Sequence, residues 1–478
     1  MSAPSSSSVS ASDASAEDPA RMHRLDPAML DLILRYVTER LEMPEAPVDG
    51  LGDREAMREA MSGLIGDGPR DAQEVLDVYV DHLADTVLSA DSPRFFAFIP
   101  AAPTKASLLF DMVVSAASLQ GCSWLEAAGA VMAENAALRV MADAASLPES
   151  AGGTFVSGGS AGNLSALVVA RDTAARRGLT PQVPHVLVSD QSHSSIANAL
   201  RITGMRPLIV PTGDGRLTEE AIERTLATFP EAAANLVAVV ATAGTTNAGI
   251  VDDIAAAARV AHDRRLWLHV DGAYGGAGLL VPRLRGLYAG IEQADSIVMD
   301  PHKWWFAPFD SAALIYRDPH LAREVHTQDA SYLDVIHGGD DLNPSDLAFH
   351  LTRRARGMAL WFSMAVNGLD AYRDAVDAGV HLAQYAARRI RDMVDVELIR
   401  DPELSIVLFR RRGWESIDYE RWSQRLLSRQ TAFVASSSWY GEPVGRLVFL
   451  HPATTHRMVD EVLESLTEKP STDRSLLD

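Results

Sequence analysis

Between residues 152 and 316, short apolar runs alternate with stretches whose apolar positions recur at helical spacing. The runs fall at 153–156, 186–188, 207–210, 236–240, 266–270, 296–299 and 312–316. Runs of three to five mostly apolar residues, bounded by glycine, proline and small polar residues, predict strands buried on both faces. Their alternation with helical stretches predicts a mostly parallel α/β sheet, in which ligands bind beyond the carboxyl ends of the strands. Upstream, Leu25, Met29, Leu30, Leu32, Ile33 and Tyr36 recur at helical spacing, and a second helical stretch covers 72–90. These helices offer too little apolar surface for a domain, which predicts an arm packed on another surface such as a partner subunit. A further helix carries Met132, Leu138, Val140 and Met141. Downstream, 353–368 predicts a long helix leaving the sheet. Beyond about residue 380, a helix, a strand pair (396–399 and 404–409), a helix, a hairpin and a last helix at 456–466 predict a smaller α+β domain. The expected division is a disordered Ser/Ala/Asp-rich tail (1–22), an N-terminal helical arm (23–103), a large α/β domain (104–378) and the small domain (379–478).

Composition narrows the function classes. Of 478 residues, 47% are hydrophobic, enough for a substantial core, and 64 acidic against 43 basic side chains give a formal charge of -21. Such a balance argues against a nucleic-acid or anionic-membrane partner. The single cysteine, Cys122, excludes an internal disulfide framework and a cysteine-rich metal site, and no metal is expected. No apolar run reaches membrane-spanning length and the first residues carry no basic-then-apolar leader pattern, so the expected location is cytoplasmic.

Candidate chemistry falls just after the expected strands. Residues 296–299 lead into Asp300, Pro301, His302 and Lys303, followed by Trp304, Trp305 and Phe306. A lysine enclosed between two buried strands cannot easily reach water. Burial disfavours the ammonium, which predicts a lowered pKa and an amine able to form a Schiff base with a carbonyl compound. The alternative, a lysine that snorkels to the surface, is opposed by the flanking histidine and aromatic residues. After 153–156 comes Ser157-Gly158-Gly159-Ser160-Ala161-Gly162-Asn163, a glycine-rich turn into a helix N-terminus that can cradle a phosphate. It lacks the dinucleotide and P-loop fingerprints, which disfavours a nucleotide-binding enzyme. Asp271, at the end of 266–270, can hold a carboxylate against a flat ligand or cap a turn, and the hydroxyls at Thr245 and Thr246 can serve a ligand oxygen or simply shape their loop. His193, after 186–188, can stack on an aromatic ligand or be merely structural. Together a buried lysine, a carboxylate, a phosphate cradle and an imidazole are what pyridoxal 5′-phosphate requires.

Here the sequence also resembles the group II pyridoxal-phosphate decarboxylases, and among them the aromatic-L-amino-acid decarboxylases. The segments that carry the resemblance are SPRFFAFIP, SGGSAGN, DQSHSS, HVDGAYGG, DPHKW and LTRRARGMALWF, within about residues 24–466. The resemblance implies an aspartate-aminotransferase-type (fold type I) architecture and a homodimer with shared active sites. It implies that Lys303 forms the Schiff base with the cofactor, Asp271 pairs the ring nitrogen, His193 stacks on the ring and Ala273 packs against its other face. Ser160 and Ala161 would bind phosphate, with Thr246, His302 and Asp300 lining the cofactor site. It further implies a mobile loop at about 326–351 with Tyr332 as the proton donor. A phenylalanine there accompanies aldehyde formation, so Tyr332 favours simple decarboxylation.

Two departures bear on the site and the substrate. Asp300 stands where aromatic-specific members often have asparagine; an anion near a phosphate is repulsive, so Asp300 is expected to face backbone donors or a cation. In the pocket, Ala90 aligns with a tryptophan, Ile99 and Cys122 with phenylalanines and Ala101 with a threonine, while Phe98, Pro100 and Phe309 complete the expected wall. The expected activity is decarboxylation of an L-amino acid with an aromatic or bulky apolar side chain to the amine and CO2. The alternatives are an aliphatic, sulfur-containing or acidic amino acid, an aldehyde-forming oxidative decarboxylase, or a catalytically silent relative, the last opposed by the retention of Lys303, Asp271 and His193.

Overall fold

The computed structural model describes residues 20–100, 102–328, 331 and 341–467. The expectation for the tail, Ala101, Tyr332 and the loop segment 332–340 lie outside them. The chain forms two compact units, Met1–Pro44 with Leu51–Val87 and Glu45–Gly50 with Leu88–Asp478. In the first, helices α1 (Pro27–Glu42), α2 (Arg54–Ala60) and α3 (Ala72–His82) are each started by an aspartate, Asp26, Asp53 and Asp71, that accepts first-turn N–H groups. None of the three buries a residue. Among the described residues no helix is long and apolar enough to cross a membrane.

The second unit is built on a seven-stranded sheet. Its strands are β1 (Gly152–Val156), β2 (His185–Ser189), β3 (Arg206–Val210), β4 (Leu236–Thr242), β5 (Trp267–Asp271), β6 (Ser296–Met299) and β7 (Ala312–Tyr316). They lie in the order β1-β7-β6-β5-β4-β2-β3, and only β7 runs against its neighbours β1 and β6. The carboxyl ends of the other six therefore share one edge. Every residue of β4, β5, β6 and β7 is buried, which is why these strands read as near-continuous apolar runs, interrupted in β5 by His269, rather than as alternations. Helices α4 (Lys105–Ala116), α5 (Trp124–Ala144), α6 (Gly159–Arg176) and α7 (Ser194–Thr203) follow their segments in chain order.

A four-stranded antiparallel sheet in the same unit joins β8 (Val396–Leu398), β9 (Ile406–Arg411), β10 (Ala435–Trp439) and β11 (Glu442–Val448), in the order β10-β11-β9-β8. The two sheets are bridged by the helix Met358–Arg391, which passes through a break at Gly368 (φ 74°). This corrects the helix expected at 353–368. Residues 353–357 are irregular because Arg353 turns into the core, where its Nη2 meets both oxygens of Glu134 at 2.8 and 2.7 Å and its Nε donates to the Phe155 carbonyl. Gly357 donates its N–H to the same Glu134 at 2.7 Å. A Cβ on Gly357 would overlap the Phe155 ring at 2.2 Å, so the approach of this segment to β1 needs glycine.

Candidate active site

The shared carboxyl edge gathers five segments. Ser157–Ser160 follow β1, His193 follows β2, Thr246 follows β4, Asp271 ends β5 and Asp300 to Lys303 follow β6. All of them but Pro301 line one cavity of about 270 Å³, together with Ala273 and Phe309. Residues spread over about 150 positions converge because each strand delivers its next residue to the same edge.

A buried hydrogen-bond network fixes the carboxylate. Asn163, one turn into α6, donates through Nδ2 to Asp271 Oδ2 and to Ser195 Oγ, each at 3.0 Å. Its Oδ1 accepts from His269 Nε2 at 2.9 Å, and His269 Nδ1 lies 2.8 Å from Ser296 Oγ, which also accepts the Trp267 indole N–H at 2.8 Å. Burial pushes His269 down to about 4, although Asp271 opposes the shift. A neutral His269 that donates through Nε2 must accept at Nδ1, so the Ser296 hydroxyl donates there. Ala273 N–H donates to the other oxygen, Asp271 Oδ1, at 3.2 Å. On the cavity side, His193 Nδ1 accepts the Ser195 N–H at 3.2 Å and lies 2.9 Å from Ser195 Oγ. The imidazole and the carboxylate are thus oriented through the same asparagine.

The phosphate cradle is the start of α6. Its cap residue Gly158 offers no side chain, and the carboxylate of Asp300 takes over that role, accepting the Gly159 N–H through Oδ2 at 3.2 Å. A Cβ at Gly159 would stand 3.0 and 3.1 Å from the two Asp300 oxygens and 3.2 Å from the Ala273 Cβ, which accounts for the glycine. Ala161, expected to bind phosphate, spends its N–H on the Gly158 carbonyl at 2.9 Å; Ser160 faces the cavity.

Lys303 corrects an expectation. Its Nζ lies 3.0 Å from Asp300 Oδ2. Burial alone lowers its pKa, as the sequence predicts, but the carboxylates of Asp300 and Asp271 outweigh burial and hold it above the ordinary lysine value. His302, 3.7 Å from the same Asp300 oxygen, is pushed down by burial despite that carboxylate, and its Nδ1 accepts the Ser311 N–H. Trp304 and Trp305 are fully buried, with Trp304 stacked on Tyr274 at 5.2 Å, so the lysine loop rests on a rigid aromatic floor.

A wider chamber of about 720 Å³ opens from Lys303, His302 and His193 and is walled by Phe98, Ile99, Pro100 and Phe309. Of the other expected pocket residues, Ala90 and Cys122 do not line it within a single chain; Cys122 is buried, with its sulfur 3.3 Å from the Arg353 N–H. Ala101 lies outside the described residues.

The chamber also contains a residue the sequence did not announce. Arg446, in β11, is buried and donates to three carbonyls, Asn247 through Nε at 3.2 Å, Thr246 through Nη2 at 2.7 Å, and Ala97 through Nη1. Burial lowers it to about 10. Three of its five N–H groups are spent, leaving two. An arginine inside the apolar run Val444, Gly445, Leu447, Val448 was the available signal. Asn163 was equally legible as a residue and equally unassigned.

These residues fit pyridoxal 5′-phosphate: an amine, a helix N-terminus, a carboxylate fixed by a buried network and an imidazole line one cavity. Comparisons agree. The family described as the pyridoxal-dependent decarboxylase conserved domain matches residues 55–412. An aromatic-L-amino-acid decarboxylase of Bacillus atrophaeus is 29% identical over 395 residues, 81% of each chain. An L-2,4-diaminobutyrate decarboxylase of Rhizobium meliloti (strain 1021) is 31% identical over 383 residues, 76% of this chain and 74% of the relative. The fold is similar to that of Oryza sativa TDC solved with PLP and tryptamine, with a TM-score of 0.85 at 24% identity, covering 94% of this chain and 100% of that one. The architecture is fold type I.

Proposed function

The chain belongs to the pyridoxal-dependent decarboxylases, and from that premise we propose that it converts an L-amino acid with an aromatic or bulky apolar side chain to the amine and CO2. The observation that carries the side-chain class is the chamber beside Lys303, walled by Phe98, Ile99, Pro100 and Phe309. Among the described residues lining it, Lys303 and Arg446 are the lysine and arginine, and both have other work, which leaves none to clamp a distal carboxylate. The carboxylate of Asp190, also lining the chamber, accepts the Thr212 hydroxyl and N–H at 2.5 and 3.2 Å. An uncharged side chain suits this wall best.

When bound, pyridoxal phosphate supplies an aldehyde and a ring that takes up the electron pair of the bond broken at the α-carbon. Lys303 must become a neutral amine to reach the aldehyde, and Asp300 Oδ2, 3.0 Å away, is the nearest base to accept its proton. Asp271, fixed by Asn163 and Ala273, would hold a proton on the ring nitrogen, and His193 would orient the ring. The two unspent N–H groups of Arg446 are suited to receive the substrate carboxylate. Tyr332 is the proposed proton donor to the α-carbon, an assignment that rests on sequence. A homodimer is the proposed assembly, supported by the absence of any buried residue in α1, α2 and α3.

Steady-state kinetics of Arg446→Met test the reading. KM for L-amino acids should rise about tenfold or more while visible cofactor absorbance stays, because a lost charged hydrogen-bond pair is worth about 1.5–3 kcal/mol. An unchanged KM would remove Arg446 from substrate binding.

A further inference from the structure

The phosphate cradle already contains an anion. Asp300 is 1% exposed, its Oδ2 bonded to the Gly159 N–H and to Lys303, its Oδ1 buried with no hydrogen-bond partner. The groups that face it are the α6 N-terminus, the Lys303 ammonium and the His302 imidazole, with Asp271 acting on the same ammonium. The dianion of a phosphate monoester, the form that prevails above its second pKa of about 6, brings two further negative charges and only acceptor oxygens. An ionised carboxylate is likewise acceptor-only, so no hydrogen bond can form between the two. Moreover, the first N–H of the cradle is spent on Asp300, and the nearest cation is shared with it.

We propose that Asp300 is a resident anion of the cofactor cradle: it caps α6 and pairs with Lys303 while the site is empty, and it makes capture of a phosphate monoester weaker than a neutral side chain would. Asp300 is in this sense a positioning residue whose charge opposes that of the phosphate. The inference rests on the cofactor assignment above.

The test uses the full chain freed of cofactor and pyridoxine 5′-phosphate, which carries the phosphate and ring but an alcohol in place of the aldehyde, and so cannot react with Lys303. At pH 8, titration calorimetry should give Asp300→Asn a dissociation constant about tenfold or more below that of the natural chain, since the amide removes a like charge and adds a donor. Asp300→Ser should bind more tightly as well, and Asp300→Glu should not. A second readout concerns Lys303: trapping with pyridoxal and borohydride should become efficient at lower pH in Asp300→Asn, because the ammonium loses its partner. Equal or weaker binding by both Asp300→Asn and Asp300→Ser, with the natural chain binding normally, overturns the inference and leaves the cofactor assignment intact. If the natural chain binds neither pyridoxine 5′-phosphate nor pyridoxal 5′-phosphate, both fall together.

Discussion

Replacing Asn163 by alanine should disable the site without touching any group that meets the cofactor's aldehyde. The substitution removes the donor to Asp271 Oδ2 and the acceptor for His269 Nε2, both within 3.0 Å. Asp271 is 5% exposed and His269 0%, so both groups depend on this side chain for their partners. Each orphaned buried group costs about 1–3 kcal/mol, which places the combined loss at about 2–6 kcal/mol. Ser195→Ala is the internal control. It deletes a hydroxyl next to Asn163 but leaves the Asp271–Asn163–His269 link whole, and should cost about 1 kcal/mol. Equilibrium urea unfolding followed by tryptophan fluorescence measures the stability difference, and titration of visible absorbance measures cofactor affinity. Asn163→Ala should lose stability by at least 2 kcal/mol and bind cofactor about tenfold or more weakly, since each 1.4 kcal/mol is a factor of ten. If Asn163→Ala behaves like Ser195→Ala in both assays, the network does not hold Asp271 and the reasoning fails.

Four further outcomes are expected. Lys303→Ala should reduce amine formation to background and abolish borohydride-trappable absorbance; turnover near normal would sink the role given to the lysine. Arg353→Met should destabilise the chain by about 3–5 kcal/mol in urea, because it leaves Glu134, 2% exposed, as an unpaired buried charge; a loss under 1 kcal/mol would contradict this. His269 is neutral in the fold and held at about 4, whereas an unfolded histidine protonates near 6.5, so its contribution is intact above about pH 6.5 and is lost as pH falls towards 4. Stability should decline there by up to about 1.4 kcal/mol per pH unit more in the natural chain than in His269→Gln, and parallel curves would refute it. Tyr332→Phe should lower the amine yield while cofactor absorbance persists; loss of absorbance instead would mean that Tyr332 belongs to the cofactor site.

The central sheet was legible because buried parallel strands are short apolar runs separated by turn residues, and all seven lie in one sheet. The site was legible wherever a single residue follows such a strand, as with Lys303, Asp271 and His193. What escaped depends on several segments at once. Asn163, His269 and Ser296 are each unremarkable polar residues until α6, β5 and β6 bring them within hydrogen-bonding distance. The lysine's protonation was misjudged for the same reason: local burial was visible, but the sum of two carboxylates from different loops was not. The helix at 353–368 was misplaced because Arg353, which reads as a polar helical position, is drawn inward by Glu134 219 residues away in the chain. Arg446 was not legible because a lone arginine in a hairpin strand carries no motif.

The most direct test of the account is product analysis on purified holoprotein with a panel of aromatic, aliphatic, sulfur-containing, basic and acidic L-amino acids, quantifying amine, CO2 and hydrogen peroxide together. The account predicts amine and CO2 in equal amounts, without peroxide, and the highest kcat/KM for aromatic or bulky apolar substrates. Aldehyde with stoichiometric peroxide, or turnover confined to acidic or basic amino acids, would contradict it.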